Sequence, residues 1–209
     1  SKEAWDNANA PFRLVEGFQA NFSSLPMGGQ IATKPWTDSY WPTYEGGIAA
    51  RWAANAGPSV FDIEKRPTKE ELATTETLEL ESMSPAEKYD LLIGEYEYPL
   101  TSYEIGRTNP DAPRWEGLCH GWAPASYNFL EPKPVVMTSV DGINIPFSTS
   151  DTKALLTFAH QYNRTSGNEK FLGLRCNDDL SADPDAGDSA KCKGVNPGSL
   201  HIALTNMIG

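Results

Sequence analysis

With 209 residues, the chain is long enough for one ordinary or slightly large domain, or one domain with an appendage, and for a substantial core. Seventeen Lys and Arg stand against 28 Asp and Glu, a net charge of −11 that disfavours nucleic acid and anionic membrane surfaces and favours neutral or basic partners. Sixteen prolines, 17 glycines and six tryptophans describe a loop-rich globular protein with many aromatic anchors rather than a helical bundle, and no stretch reaches membrane-spanning length.

From Ser1 to Pro58 the chain is rich in turns and rings, with Pro35-Trp36, Tyr40-Trp41-Pro42 and Tyr44-Glu45-Gly46-Gly47 in quick succession. Proline removes backbone donors and glycine costs backbone entropy, so long regular elements are excluded there. The segment is expected to wrap the core and pin itself by its rings, as the first part of an N-terminal wrapping region covering residues 1–82. Within it, Ile48 to Ala56 (IAARWAANA) predicts a short helix ended by Gly57-Pro58. Residues 61–82, with EKR, KEE and ETLELE, read as an exposed charged connector open to proteolysis.

Residues 83–209 then form the region that carries the candidate chemistry. Ser84-Pro85-Ala86-Glu87 places Ser at N-cap, Pro at N1 and Glu at N3, a capping box that satisfies two orphan donors reciprocally. The helix it starts shows Tyr89, Leu92, Ile93 and Tyr96 at helical spacing and ends near Tyr98-Pro99. A second helix is expected to start at Cys119 within WEGLCHGWAPASYNFL, residues 115–130. Asp141-Gly142 between Val135-Val136-Met137 and Ile143-Asn144-Ile145 signals a hairpin. Ala154, Leu155, Phe158, Ala159 and Tyr162 share one face of a helix over 151–162, with His160 off that face and exposed. Phe171 to Arg175 reads as a strand, and so does Ser199 to Ile208 (SLHIALTNMI), with His201 near its beginning.

The three cysteines are distributed unequally. Cys176 and Cys192 bracket a polar loop rich in Asp, Gly and Pro that cannot hold itself together by burial, so a disulfide is the obvious staple, worth about 3 kcal/mol in the chain-entropy picture. Cys119 is left over, and a lone thiol in an oxidising compartment is a candidate for reactivity. Two sequons, Asn21-Phe22-Ser23 and Asn163-Arg164-Thr165, agree with secretion and make Asn21 and Asn163 the candidate glycosylation sites. In the same loop Asp183, Asp185 and Asp188 with Gly187 are similar to part of a calcium loop, but the bidentate Glu that such a loop needs is absent. The sequence requires no cofactor, and calcium is the one it leaves open.

At a helix start, unpaired N–H groups and the helix dipole favour an anion, and the thiolate is the reactive form of cysteine. Trp115 and Trp122 flank Cys119 and are the candidate walls of a cleft that excludes water and admits a flat amide. Among the histidines, His120 diverges by about 100° from Cys119 on a helix and His160 sits on a polar face. His201, opening an apolar segment after Asn196-Pro197-Gly198, is the candidate base. A Cys119–His201 pair would hold a thiolate–imidazolium state and attack a carboxamide, with the Cys119 backbone N–H as first oxyanion donor and the Trp115 indole as candidate second. Asn206, the remaining candidate to orient the imidazole, lies too far along a strand to fold back onto His201.

WEGLCHGWAPAS, the earlier GGQIATKPWTDSYWPTYEGGIAARW and the final NPGSLHIALTNMIG together resemble the secreted transglutaminases of oomycetes, the transglutaminase elicitor family. The resemblance implies acyl transfer from a protein glutamine to a lysine amine, with Cys119 at the family's nucleophile position and His201 at its histidine. It further implies an extracellular or wall-associated protein, recognition by a plant receptor, and a continuation beyond Gly209 that carries the acidic triad partner and the elicitor segment. A C-terminal fragment of the same precursor is therefore an expected partner, pairing with the strand that ends at Ile208. The fold expected is α+β and papain-like, with a central helix starting at Cys119 packed on a mainly antiparallel sheet that carries His201. A peptidase or glutamine deamidase with the same pair is the nearest alternative. A catalytically silent protein that binds glycan or receptor through Trp36, Trp41 and Tyr44 is the alternative from another class.

Overall fold

The computed structural model describes residues 7–52, 59–63, 65–72, 74, 77–162, 170–174, 176, 181–182, 185, 192 and 194–208. The chain divides into two compact units, Ser1–Ala32 with Arg164–Gly209, and Thr33–Asn163. Residues 82 and 83 both lie in the second unit. Most of the described residues over 61–82 are exposed, but short helices α1 (Lys69–Leu72) and α2 (Thr77–Ser82) bury Leu72 and Leu80. These leucines join Met83, Leu91, Tyr98, Ile145 and Phe147 in one of the two core clusters. Two leucines among many charges make a weak periodic signal, yet each removes a whole apolar side chain from water, about 1.5–3 kcal/mol.

The second unit continues with α3 (Pro85–Leu92), α4 (Pro99–Arg107), α5 (Cys119–Asn128), a hairpin of β1 (Val135–Thr138) and β2 (Asn144–Phe147), and α6 (Thr149–Tyr162). The Ser84 capping box forms with both of its hydrogen bonds. Of the apolar face expected there, Leu92 and Tyr96 are partly buried against the cluster of Leu72 and Leu80, whereas Tyr89 and Ile93 are exposed. Buried instead are Ala86, Leu91 and the charged Glu87, Lys88 and Asp90.

Each of those charges is satisfied. Glu87 receives Arg51 Nη2 at 2.7 Å and Arg66 Nε at 3.0 Å. Lys88 Nζ lies 2.7 Å from Asp151 Oδ2. Asp90 accepts from the N–H groups of Leu100 and Thr101 and from the Thr101 hydroxyl, capping α4 from a distance where its own N-cap, Tyr98, offers no side-chain bond. A buried charge left alone would be expensive, so the partners on four other segments are what allow this face to go inside.

The hairpin forms around Asp141-Gly142 in antiparallel register, Val135 opposite Phe147 and Met137 opposite Ile145. Ile145 and Phe147 are buried, whereas all of β1 is exposed. Among the described residues this is a two-stranded sheet, not the larger antiparallel sheet expected, and α5 packs on α6 rather than on strands. Gly121 explains the close approach of the two helices, since a Cβ there would enter the space of the Thr157 carbonyl oxygen; Ala125 and Ala154, both fully buried, extend the contact. The helix expected over 48–56 is a single 3-10 turn, Gly47–Ala49, followed by extended Ala50, with residues 53–56 outside the described residues. The buried Glu104 carboxylate accepts the Ile48 N–H, one of the first-turn donors that a helix leaves without an internal partner. His160 is not a free surface histidine: its Nδ1 lies 2.8 Å from the Leu156 carbonyl and its ring meets Phe129 edge-on.

In the first unit, 3-10 turns at Pro11–Arg13 and Phe22–Ser24 accompany α7 (Pro197–Met207). This helix occupies the segment expected as the final strand, and the unpaired strand edge expected at Ile208 does not exist. Asn196 caps it, accepting from the N–H groups of Gly198 and Ser199, and Pro197 takes N1. Both are strong helix starts, and burial of Ser199, Ile202 and Ala203 follows the helical period. Leu200, Ile202 and Leu204 also alternate, which is the pattern that imitates a strand. The strand expected over 171–175 is likewise absent from residues 171–174, which form a bend with Gly173 at φ +85° and its N–H on the Ala8 carbonyl; residue 175 lies outside the described residues. Cys176 and Cys192 are disulfide-bonded.

Candidate active site

Cys119 is the first residue of α5 and an exposed free thiol. The loop before it is held from outside by the segment Trp36–Thr43. Tyr40 accepts the Leu118 N–H on its carbonyl at 2.7 Å, and the Thr43 N–H donates to the Glu116 carbonyl at 2.9 Å. The Tyr40 hydroxyl reaches the Arg114 carbonyl at 2.6 Å. Between them Gly117 leaves no room for a side chain, because a Cβ would lie 2.5 Å from the Tyr40 oxygen.

The same strap grips the other end of α5. The Trp36 indole donates to the carbonyl of Phe129, the C-cap residue. Lys153 Nζ donates to the Thr37 carbonyl and to Glu131, and the Ser150 hydroxyl donates to Asp38. Trp36 and Trp41 are buried in the core cluster that also contains Leu118 and Ala125. Trp41 stands at φ +46°, a left-handed backbone that a bulky residue adopts only where its surroundings impose it. Tyr40 and Thr43 thus hold the loop before Cys119 through backbone bonds; the aromatic run marked the strap in the sequence but not these hydrogen bonds.

Trp115 is 65% exposed beside the thiol in sequence. Trp122 is half-buried against the core, with no acceptor for its buried indole N–H among the described residues. His120 is exposed.

His201 lies on α7 in the first unit, not on a strand. Its ring stacks against Phe22 at 5.5 Å, and it lines a groove with Leu25, Met27, Leu204 and Ile208. Asn206 is occupied elsewhere, since its amide donates to the Gln19 and Ile202 carbonyls and accepts the Gln19 N–H. Cys119 and His201 belong to different units. Asn21 is exposed, with its side-chain oxygen taking the Ser23 N–H and hydroxyl. Asn163, Asp183 and Asp188 lie outside the described residues. Among those described, Asp185 included, no three His, Cys, Asp or Glu side chains are grouped to hold a metal. No helix among the described residues is long and apolar enough to cross a membrane.

The family model described as "Transglutaminase elicitor" matches residues 105–209. No curated protein matches the chain. Among solved structures, the crystal structure of the GP42 transglutaminase from Phytophthora sojae is similar with a TM-score of 0.59 and 20% identity, covering 95% of this chain and 52% of that one. At that identity the likeness speaks for the fold, a mixture of helices and a small antiparallel sheet. The chain spans about half the length of the solved chain it matches.

Proposed function

The chain belongs to the transglutaminase elicitor family, and from that premise we propose that it is a protein–glutamine γ-glutamyltransferase with Cys119 as nucleophile and His201 as general base. The observation that carries the reading is that the matched segment, 105–209, contains both an exposed thiol on a braced helix start and the histidine. The pairing of thiol and imidazole in this reading is carried by the family resemblance.

The reaction proceeds by two acyl transfers. Cys119 Sγ, having given its proton to His201, bonds to the side-chain carbonyl carbon of a protein glutamine. The oxygen turns anionic and is met by the Cys119 backbone N–H, with the Trp115 indole as the second donor. As the tetrahedral intermediate collapses, the C–N bond breaks and the imidazolium proton leaves on ammonia, giving a thioester. A lysine amine then attacks the thioester carbon and loses a proton to His201. The C–S bond breaks and the thiol is restored, leaving a glutamine–lysine isopeptide bond. Trp115 and Trp122 shield the thioester from water, whose attack would yield glutamate instead.

The group that orients the imidazole is assigned by family resemblance to a further polypeptide of the same precursor, since Asn206 is engaged with Gln19 and Ile202. Secretion belongs to the same proposal, supported by the Cys176–Cys192 bond and the exposed sequon at Asn21. Recognition by a plant receptor is what the family's elicitor description adds.

Monodansylcadaverine incorporation into casein tests the reading. Labelling is expected from the wild type, none from Cys119→Ala, and a loss of about 10²–10⁴-fold from His201→Ala. Cleaved but unlabelled casein would make the protein a peptidase, and a biological activity untouched by Cys119→Ala would make it a silent binding protein.

A further inference from the structure

Arg114 is exposed on the loop that leads to Cys119, and it is held at both its backbone and its tip. Its carbonyl accepts the Tyr40 hydroxyl at 2.6 Å, and its Cζ stands 4.0 Å from the centre of the Tyr44 ring. A ring holds a cation without accepting its N–H groups in hydrogen bonds, so the fork that matches a carboxylate stays open. Arg51, Arg66 and Arg107 are each paired with a buried glutamate. Arg114 forms no ion pair among the described residues, although Glu45 and Glu116 are close to it along the two segments.

The same tyrosine ties this side chain to the thiol. Tyr40 accepts the Leu118 N–H on its carbonyl while its hydroxyl holds the Arg114 carbonyl, so one residue joins the two ends of the loop, and both lie in the second unit with Cys119. The steps from Arg114 to Cys119 cover at most about 18 Å when straight, and a loop tied at both ends to one side chain covers less. An extended peptide advances about 3.3 Å per residue. A side chain a few positions from a glutamine at Cys119 therefore comes within reach of Arg114.

We infer that Arg114 receives an Asp or Glu side chain of the acyl donor, within about four residues of the reactive glutamine, and so biases which glutamines are used. The inference rests on Cys119 as nucleophile of the crosslinking reading and on no placement of His201. A fixed cation repels a lysine-bearing segment, which assigns it to the donor rather than to the amine acceptor. The chain's net charge of −11 opposes acidic donors at long range, but that field is screened beyond about 8–10 Å in ordinary salt, whereas a bidentate contact acts at hydrogen-bond distance. A guanidinium already held on a ring also loses less freedom on binding than a loose one. The gain is still that of an exposed ion pair, so the preference is several-fold and no more.

Donor peptides for the test carry one glutamine and either Asp or Asn at a single position, up to four residues before or after it. Asn removes the charge at nearly constant shape. Titration calorimetry to the Cys119→Ala protein is expected to show, at one position or more, an Asp peptide binding about three- to fivefold more tightly than its Asn twin. The ratio is expected to fall to one in Cys119→Ala/Arg114→Gln with the affinity of the Asn peptide unchanged, and to survive in part in Cys119→Ala/Arg114→Lys. It should also shrink as NaCl rises from about 0.05 to 0.5 M. Equal affinities at every position, binding of neither peptide, or a ratio that Arg114→Gln leaves intact overturns the inference. So does an equal loss for both peptides in that variant, which makes Arg114 a brace of the loop alone. Cadaverine incorporation by the wild type is followed with the same peptides. Asp-over-Asn discrimination in binding without any incorporation keeps the role of Arg114 and sinks the crosslinking reading alone.

Discussion

Gly117 separates two roles that a glycine can have. A methyl group there would collide with the Tyr40 carbonyl oxygen and ring, so the residue before Leu118 is fixed by its neighbour and not by its own backbone angles. Gly106, inside α4, meets nothing. Gly117→Ala is expected to destabilise the second unit by about 1–3 kcal/mol and to lower acyl transfer with it. Gly106→Ala is expected to stabilise by up to about 1 kcal/mol through helix propensity. Urea midpoints of the two variants check both, and equal midpoints would remove the strap from the account of how the thiol is held. Nothing in the sequence distinguished these glycines. The aromatic run from Trp36 to Tyr44 was legible as packing, but the backbone bonds from Tyr40 and Thr43 to the cysteine loop depend on long-range register that single residues do not announce.

At the scale of the element, α3 shows where periodic reading fails. Its start was legible because the capping box is a local chemical event. Its buried face was not, because Glu87, Lys88 and Asp90 go inside with partners that lie far along the chain. The two acids respond to pH in opposite senses. Burial opposes ionisation of Glu87, but the Arg51 guanidinium, with Ser84, brings its carboxyl below the usual carboxylate value. Its stabilisation is therefore complete above the unfolded value and is lost as pH falls through the lower, folded one. At Asp90 burial prevails over the Thr101 and Leu100 donors and the value is raised. That group favours the fold while protonated, and its contribution is lost as pH rises through the folded value. Urea midpoints between pH 3 and pH 6, a range bracketing the ordinary carboxylate values of about 4, are expected to fall on the acid side. Glu87→Gln should flatten that limb and Asp90→Asn should steepen it. The same scale explains α7: Asn196 and Pro197 are helix-start residues, yet Leu200, Ile202 and Leu204 alternate, and the cap prevails over the alternation.

Across the whole molecule, both apolar core clusters belong to the second unit. Among the described residues of the first unit, Pro11, Leu25, Ile202 and Ala203 are the buried apolar side chains, and its two sequence-distant halves meet through bonds such as Asn196 N–H to Asn9 and Gly173 N–H to Ala8. A disulfide within that unit adds a covalent constraint to those bonds. Reduction of Cys176–Cys192 is expected to lower amide-exchange protection in residues 8–30 and 196–208 by about 3 kcal/mol, the entropy of a loop of this length. Protection in α5 and α6 should not change. Loss of protection throughout both units would mean that they unfold as one. The disulfide was legible because a polar loop between two cysteines has no other staple. The division into units was not, because it joins the two ends of the chain.

An exposed Cys119 and a bonded Cys176–Cys192 in one polypeptide set opposite demands on anyone handling it. Left in air, two molecules can join through their surface sulfurs and silence both; a generous dose of dithiothreitol prevents this but opens the cystine on which the histidine-bearing unit relies. Recovered activity should therefore peak at an intermediate reductant concentration and decline on either side.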